Sequence, residues 1–291
     1  MKTNIVQIYA SLAVAGCAVL MLLMANNAQA QNLFVGASST IAEITPDGTQ
    51  STFASTGASG LLFNGNNLFA SISGAVYEFT PDGTESLYVK GVSSGSGLAF
   101  NSAGDLFISQ TFGIVEYTPG VGISTFATKL NNAKGLAFNS AGDLFEADYS
   151  SGNVYEFTPD GARTTFATNE SPSALAFNSA GDLFVASVLK DTIDEFTPAG
   201  VETTFVGGLY GPQAMAFDGA GDLFVADPQV GQVVEFSPDG TQISTLHMPN
   251  ADALAVSVPE PSALGLLGAG AFVIWCSLSY KKAIRNMKGT L

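Results

Sequence analysis

The residues in this sequence that could do chemistry are two carboxylates that interrupt a repeated phrase. Glu146 and Asp148 stand in the stretch Leu-Phe-Glu-Ala-Asp, with Tyr149 directly after them. Alternate side chains of a strand share one face, so this pair could hold a divalent cation such as Ca²⁺ or act as an acid and a base. The other copies of the phrase carry an aliphatic residue in place of Glu146. We expect Glu146 to be solvated at a strand end or paired with a nearby lysine, and a metal or acid/base role is the alternative.

The sequence contains few of the residues that other kinds of catalytic site require. His247 is the only histidine, so a Ser-His-Asp triad could use no other residue and a two-histidine site is impossible. The two cysteines, Cys17 and Cys276, lie in apolar end segments. The residues between them contain no thiol, so disulfides and cysteine metal sites are excluded from that region. We therefore predict no catalytic residue and no cofactor, with a divalent cation as the alternative.

The interrupted phrase belongs to a repeat that predicts the architecture. "AFNSAGDLF" occurs at 99–107, 137–145 and 176–184, and "AFDGAGDLF" at 216–224. An element of the type "EFTP" recurs six times at intervals of 35 to 40 residues. A period of this length without a helical pattern is typical of a propeller blade with four short strands, A to D.

The repeat is offset from the chain ends by one strand. The first strand B is "NLFVG" at 32–36, and the last strand A is "ALAVS" at 253–257. We predict an all-β, six-bladed β-propeller over residues 31–257, closed by pairing of the C-terminal strand A with the N-terminal strand B. Such closure protects strand edges that would otherwise aggregate.

Function is expected where the six copies differ. The A–B and C–D turns are nearly uniform, whereas the D–A and B–C loops vary and should emerge together on one face, named here the variable face. Binding residues commonly lie on loops held by a rigid frame. We predict a mouth ring around the central channel from the residues before each strand A, with two tyrosines beside it for stacking on sugars: Ser59, Ser96, Lys134, Ser173, Gln213, Asp252, Tyr149 and Tyr210.

The charge of the predicted propeller excludes one class of partner. Residues 31–258 contain five basic and 24 acidic residues, a net charge of −19. A surface this acidic repels phosphate backbones, so we expect no binding to nucleic acid.

The N-terminal 30 residues predict export. One lysine precedes a long apolar stretch that closes with Ala28-Gln29-Ala30, where a signal peptidase finds the small residues it needs. We predict a signal peptide over residues 1–30. The alternative is a lipoprotein box, Val14 to Cys17, that would acylate Cys17.

The C-terminal segment, residues 258–291, resembles the PEP-CTERM sorting signal of Gram-negative bacteria. Pro259-Glu260-Pro261 precedes an uncharged span at about 263–280 and a basic tail at 281–291. The resemblance implies transient membrane insertion as a transmembrane helix, processing by an exosortase, and delivery to the cell surface or an exopolysaccharide matrix. A plain single-pass anchor is the alternative.

The repeat itself is similar to the NHL repeat and to six-bladed propellers of the streptogramin lyase and gluconolactonase groups. The similarity rests on the phrase "GLAFNSAGDLFVAD", a composite of the copies, and on "VVEFSPDGT" at 233–241, and it covers about residues 32–257. It implies blades and leaves activity open, because a fold does not imply a function. We predict a binding or structural module for an exopolysaccharide or a surface protein. A metal-dependent hydrolase or lactonase of the gluconolactonase type is the alternative.

Overall fold

The structure is a computed structural model that describes residues 31–93 and 95–257. The predicted signal peptide with Cys17, the Pro259-Glu260-Pro261 motif and the predicted C-terminal span lie outside the described residues. The regular elements of the described residues are all β-strands. These residues contain no helix that is long and apolar enough to cross a membrane.

Twenty-four strands in the described residues form six antiparallel sheets, each of which is a blade with strands A to D running outward. Blade 1 contains β24 (Ala253–Val256), β1 (Leu33–Gly36), β2 (Ile41–Ile44) and β3 (Gln50–Ala54). Blade 2 contains β4 (Gly60–Asn64), β5 (Asn67–Ile72), β6 (Ala75–Phe79) and β7 (Glu85–Lys90). Blade 3 contains β8 (Leu98–Phe100), β9 (Leu106–Gln110), β10 (Gly113–Thr118) and β11 (Gly122–Thr128).

The second half of the ring repeats the same plan. Blade 4 contains β12 (Ala133–Phe138), β13 (Leu144–Asp148), β14 (Asn153–Phe157) and β15 (Arg163–Thr168). Blade 5 contains β16 (Pro172–Phe177), β17 (Leu183–Ser187), β18 (Thr192–Phe196) and β19 (Glu202–Gly207). Blade 6 contains β20 (Ala214–Phe217), β21 (Leu223–Asp227), β22 (Gln232–Phe236) and β23 (Gln242–His247).

The predicted closure is confirmed in blade 1. Strand β24 pairs antiparallel with β1, with Leu33 opposite Val256 and Gly36 opposite Ala253. Ser257 extends the pairing, because its amide donates to the Asn32 carbonyl at 2.9 Å and its hydroxyl accepts from the Asn32 amide at 2.8 Å. All 24 strands find their partners between residues 33 and 256, so this segment contains what it needs to fold on its own.

The repeated Asn-Ser-Ala-Gly-Asp segment explains why one phrase recurs in the sequence. Asn101 Oδ1 accepts hydrogen bonds from the amides of Ala103 (3.0 Å) and Asp105 (2.9 Å), and Asn101 Nδ2 donates to Asp105 Oδ2. Gly104 has a φ of 90°, which residues with a Cβ rarely adopt. Equivalent bonds form at Asn139 and Asn178. The phrase therefore encodes the A–B turn.

The core lies between the blades. Six clusters of buried residues each join two neighbouring blades, and in five of these seams aromatic rings pack mostly edge to face. Phe107 of blade 3, for example, contacts Phe138 of blade 4 with ring centroids 5.1 Å apart. Such edge-to-face pairs add to the stabilisation that burial itself gives. The blades are thus fixed to one another by the residues that repeat.

Candidate functional site

The mouth ring surrounds one end of the central channel. Strands β24, β4, β8, β12, β16 and β20 follow one another around the channel, and β20 contacts β24 to complete the circle. The channel encloses a cavity of about 440 Å³, whose lining includes five of the six predicted ring residues: Ser59, Ser96, Ser173, Gln213 and Asp252. Lys134 directly precedes Gly135, which also lines the cavity.

The two charged members of the mouth ring belong to opposite sides of the channel. Lys134 lies on β12 and Asp252 directly precedes β24, and two inner strands separate β12 from β24 on either side. Neither side chain forms a salt bridge within the described part of the chain. Their electrostatic attraction nevertheless affects the pKa of each group, because it opposes the shift that burial causes.

Lys134 is held against an aromatic ring. Its Nζ lies 4.3 Å from the centroid of the Tyr149 ring, a cation–π contact. Burial lowers the pKa of Lys134, and the attraction of Asp252 opposes that shift. The contact fixes a partly desolvated ammonium group near the channel mouth.

Asp252 keeps a solvent-exposed side chain at the same mouth. The surrounding channel wall raises its pKa by desolvation, and Lys134 opposes this. Its backbone is fixed, because the Asp252 amide donates to the Gly36 carbonyl at 2.8 Å.

The neutral ring members differ in how much of each side chain is free. Ser173 is buried, and its hydroxyl donates to the Pro212 carbonyl at 2.7 Å. Ser59 is half-buried and lies 3.4 Å from the Ser71 and Gly95 carbonyl oxygens. Ser96 is exposed and Gln213 is half-buried. The ring therefore presents polar groups, but Ser173 holds the loop before blade 6 rather than facing solvent.

The expectation that Glu146 is solvated or paired with a lysine is wrong. Its side chain is 0% exposed, and both carboxylate oxygens lack a hydrogen-bond partner. On β13 it stands opposite Leu136 and Tyr155, whose cluster packs blade 4 against blade 3. The sequence places Glu146 on a strand, but its depth depends on how closely the neighbouring blade packs.

Burial raises the pKa of Glu146 to about 9, with a smaller contribution from Asp148 and an opposing one from Arg163. A carboxyl group in this environment favours its neutral, protonated form at pH 7. Glu146 is therefore an internal carboxylic acid in the seam between two blades, out of contact with solvent.

Asp148 has a structural contact for each oxygen. It is buried, and it accepts hydrogen bonds from the Asn131 amide (2.7 Å) and the Ser151 amide (3.2 Å). Asp227 occupies the same place in blade 6 and accepts from the Tyr210 amide at 2.7 Å. Each aspartate at the end of strand B thus holds the D–A loop that runs beside it.

Glu146 and Asp148, the pair predicted as an alternative to bind a divalent cation, have no third acidic, histidine or cysteine ligand beside them among the described residues. Within residues 31–93 and 95–257, no three or more His, Cys, Asp or Glu side chains are grouped so that they could hold a metal ion. A role for Glu146 and Asp148 in metal binding remains a prediction.

Sequence reasoning missed Asp194, another buried carboxylate, on strand β18 of blade 5. It is 1% exposed and accepts hydrogen bonds from Asn169 Nδ2 and Ser187 Oγ, both at 2.9 Å. Lys190 Nζ lies 3.5 Å from Asp194 and 3.0 Å from Glu202. The signal was present in "TIDEF", because Asp194 replaces the apolar or aromatic residue of other blades.

Tyr210 is the most prominent aromatic residue of the predicted site. Its side chain is 58% exposed although its backbone is held by Asp227. Tyr149, in contrast, is half-buried beneath Lys134. Phe112 and Leu189, in the B–C loops of blades 3 and 5, are also exposed. The variable face therefore combines fixed backbone with apolar side chains in solvent.

Comparison with known proteins identifies the sorting motif. A family model described as the PEP-CTERM protein-sorting motif matches residues 257–278. No curated protein sequence matches the chain. The motif indicates an exported protein that an exosortase processes and that reaches the cell surface or the extracellular space.

Solved structures resemble the propeller in fold. A nidogen/laminin complex structure shares 17% identity over 78% of this chain and 98% of that chain, with a TM-score of 0.71. A putative gluconolactonase shares 16% identity over 66% of this chain and 81% of that chain, with a TM-score of 0.57. Virginiamycin B lyase from Staphylococcus aureus shares 16% identity over 66% of this chain and 70% of that chain, with a TM-score of 0.53. The six-bladed propeller thus has structural neighbours in the NHL, streptogramin lyase and gluconolactonase group, a likeness of fold.

Proposed function

We propose that this exported propeller is a binding module that takes an extracellular glycan on its variable face. The sorting motif indicates delivery to the cell surface or the extracellular space, where an extracellular glycan would be accessible. The variable face is where the blades differ from one another, and it surrounds the open mouth of the channel. Binding at that face is the function that these features support best.

The observation that carries the proposal is the state of Tyr210. A ring that is 58% exposed costs free energy in water, yet the loop beneath it is fixed by the bond between the Tyr210 amide and Asp227. A fixed aromatic ring in solvent offers a flat apolar surface at a low entropic cost of binding. Sugar rings present apolar C–H faces that stack on such a surface.

The test is a glycan array probed with residues 31–257 and with two matched variants. Tyr210→Ala removes the exposed ring from the variable face. Val121→Ala truncates a residue that is 84% exposed at the C–D turn of blade 3, on the opposite face. We expect Tyr210→Ala to weaken binding to the best glycan about tenfold, as for a stacking residue in a binding site, and Val121→Ala to leave it unchanged.

Equal binding by all three proteins would contradict the proposal, as would an absence of binding across the array. A parallel screen with lactones tests the metal-dependent hydrolase. Turnover that requires a divalent ion would replace the binding proposal with that activity.

A further inference from the structure

We propose that the mouth ring is a site for a zwitterionic glycan segment, in which one sugar carries a carboxylate and its neighbour an ammonium group. This inference rests on the proposed function and specifies its ligand. Lys134 would take the carboxylate and Asp252 the ammonium group, on opposite sides of the channel.

The two charges are prepared for a ligand because they are held apart. Lys134 Nζ is fixed on the Tyr149 ring, and the Asp252 backbone is fixed to Gly36. Neither charge is neutralised by a salt bridge within the described residues, although each attracts the other across the mouth. A bipolar ligand would complete both charges at once, and charge-assisted hydrogen bonds are the stronger kind.

The remaining ring members fit the uncharged part of such a ligand. Ser96 and Gln213 have side chains that reach solvent at the mouth. Their hydroxyl and amide groups can donate to, and accept from, sugar hydroxyls. The ring thus offers hydrogen bonds between its two charged poles.

The charge of the whole propeller favours the same ligand class. Residues 31–258 carry a net charge of −19, which repels a polyanion at long range. A polycation would be attracted to the entire surface and would gain little from one site. A neutral, bipolar segment avoids the repulsion and still benefits from the local complementarity of Lys134 and Asp252.

The test compares three tetrasaccharides of matched length on residues 31–257. N-deacetylated heparosan carries both charges, heparosan carries only carboxylates, and chitosan carries only ammonium groups. Titrations at ~150 mM salt screen the long-range field. We expect the zwitterionic tetrasaccharide to bind about tenfold more tightly than either of the others.

Variants assign this preference to the two residues. Lys134→Gln and Asp252→Asn are each expected to reduce the preference to about twofold or less, and Lys90→Gln, an exposed lysine of β7, to leave it intact. The double variant Lys134→Asp with Asp252→Lys restores opposite charges and should recover the preference to within about threefold. A thermal melt of each variant separates loss of folding from loss of binding.

Two results would overturn the inference: equal affinity for the three tetrasaccharides, or a zwitterion preference that survives both single substitutions. Binding to neutral glycans alone would reject the inference and leave the proposed function standing. Absence of binding to every glycan on the array would reject both.

Discussion

At the scale of single residues, Glu146 is the clearest departure from the repeat. The equivalent residues in the other blades are aliphatic and buried, as Val185 and Val225 show. Glu146 accepts the same burial without a partner for either oxygen. An unpaired buried polar group destabilises a fold, so Glu146 is expected to lower the stability of the propeller relative to an aliphatic residue at the same place.

Replacing Glu146 with the aliphatic residue of the other blades should stabilise the propeller. We expect Glu146→Val to raise the free energy of unfolding by about 1–2 kcal/mol near pH 5, because an unsatisfied buried group is removed. Denaturant unfolding of the two proteins measures the difference. Glu85→Val, at an exposed place on β7, is the matched control and should change stability by no more than about 0.5 kcal/mol. A destabilised Glu146→Val protein would mean that a partner holds the carboxylate.

The raised pKa of Glu146 also predicts how stability depends on pH. The folded value is about 9 and the unfolded value is about 4.3, so between these pH values the folded protein binds a proton that the unfolded chain lacks. The free energy of unfolding contributed by this group is therefore greatest below pH ~4 and falls as pH rises, by up to about 1.4 kcal/mol per unit. Glu146→Val should lack this fall, so the difference between the two proteins should widen from pH 5 to pH 8. Parallel pH profiles would show that Glu146 is ionised in the fold.

At the scale of elements, the aspartates that end strand B connect the rigid blades to the variable loops. Asp148 and Asp227 each accept a hydrogen bond from the backbone of the preceding D–A loop. A loop that is fixed in this way presents its side chains with little loss of entropy on binding. In each of these two blades, the aspartate that ends strand B therefore contributes both to the stability of the blade and to the fixed conformation of the binding loop.

Two substitutions of Asp227 separate its hydrogen bond from its charge. Asp227→Ala removes the acceptor for the Tyr210 amide and should cost about 1–2 kcal/mol. Asp227→Asn keeps an oxygen that can accept the bond and removes the negative charge. Burial disfavours that charge, since it raises the pKa of Asp227. The stability of this variant should therefore stay within about 0.5 kcal/mol of the parent. Hydrogen exchange at the Tyr210 amide should accelerate in the alanine variant alone. Equal exchange in both variants would show that the loop is held by other contacts.

The elements also show what a sequence can and cannot predict here. The turns were predictable, because Asn101, Gly104 and their repeats make local bonds that the local sequence specifies. The burial of Glu146 and the network of Asp194 were not, because both depend on the neighbouring blade or on loops distant in sequence. The sequence marked Glu146 and Asp194 only as acidic residues at positions where the other copies of the repeat are apolar or aromatic.

At the scale of the whole molecule, noncovalent strand pairing closes the propeller within residues 31–93 and 95–257. Strand β24 is the innermost strand of blade 1, and its residues Ala253, Leu254 and Ala255 are buried in the seams on both sides. Blade 1 therefore joins the N-terminal and C-terminal ends of the propeller in one sheet.

Truncation tests the closure directly. A chain that ends after Asp252 lacks β24 and should lose at least about 3 kcal/mol of stability, because a buried strand is removed and the edge of β1 is exposed. A chain that ends after Ser257 retains every pairing partner and should melt at the temperature of the full-length protein. Thermal melts followed by circular dichroism compare the three. Equal melting of the chain that ends at Asp252 would contradict the closure.

The measurement that tests the central claim most directly is hydrogen–deuterium exchange of residues 31–257 with and without the tightest glycan from the array. If the variable face is the binding surface, protection should appear in the D–A and B–C loops around Lys134, Tyr210 and Asp252, and the A–B turns such as 101–105 should exchange as before. Protection confined to the A–B and C–D turns would contradict the account, because it would place the ligand on the uniform face.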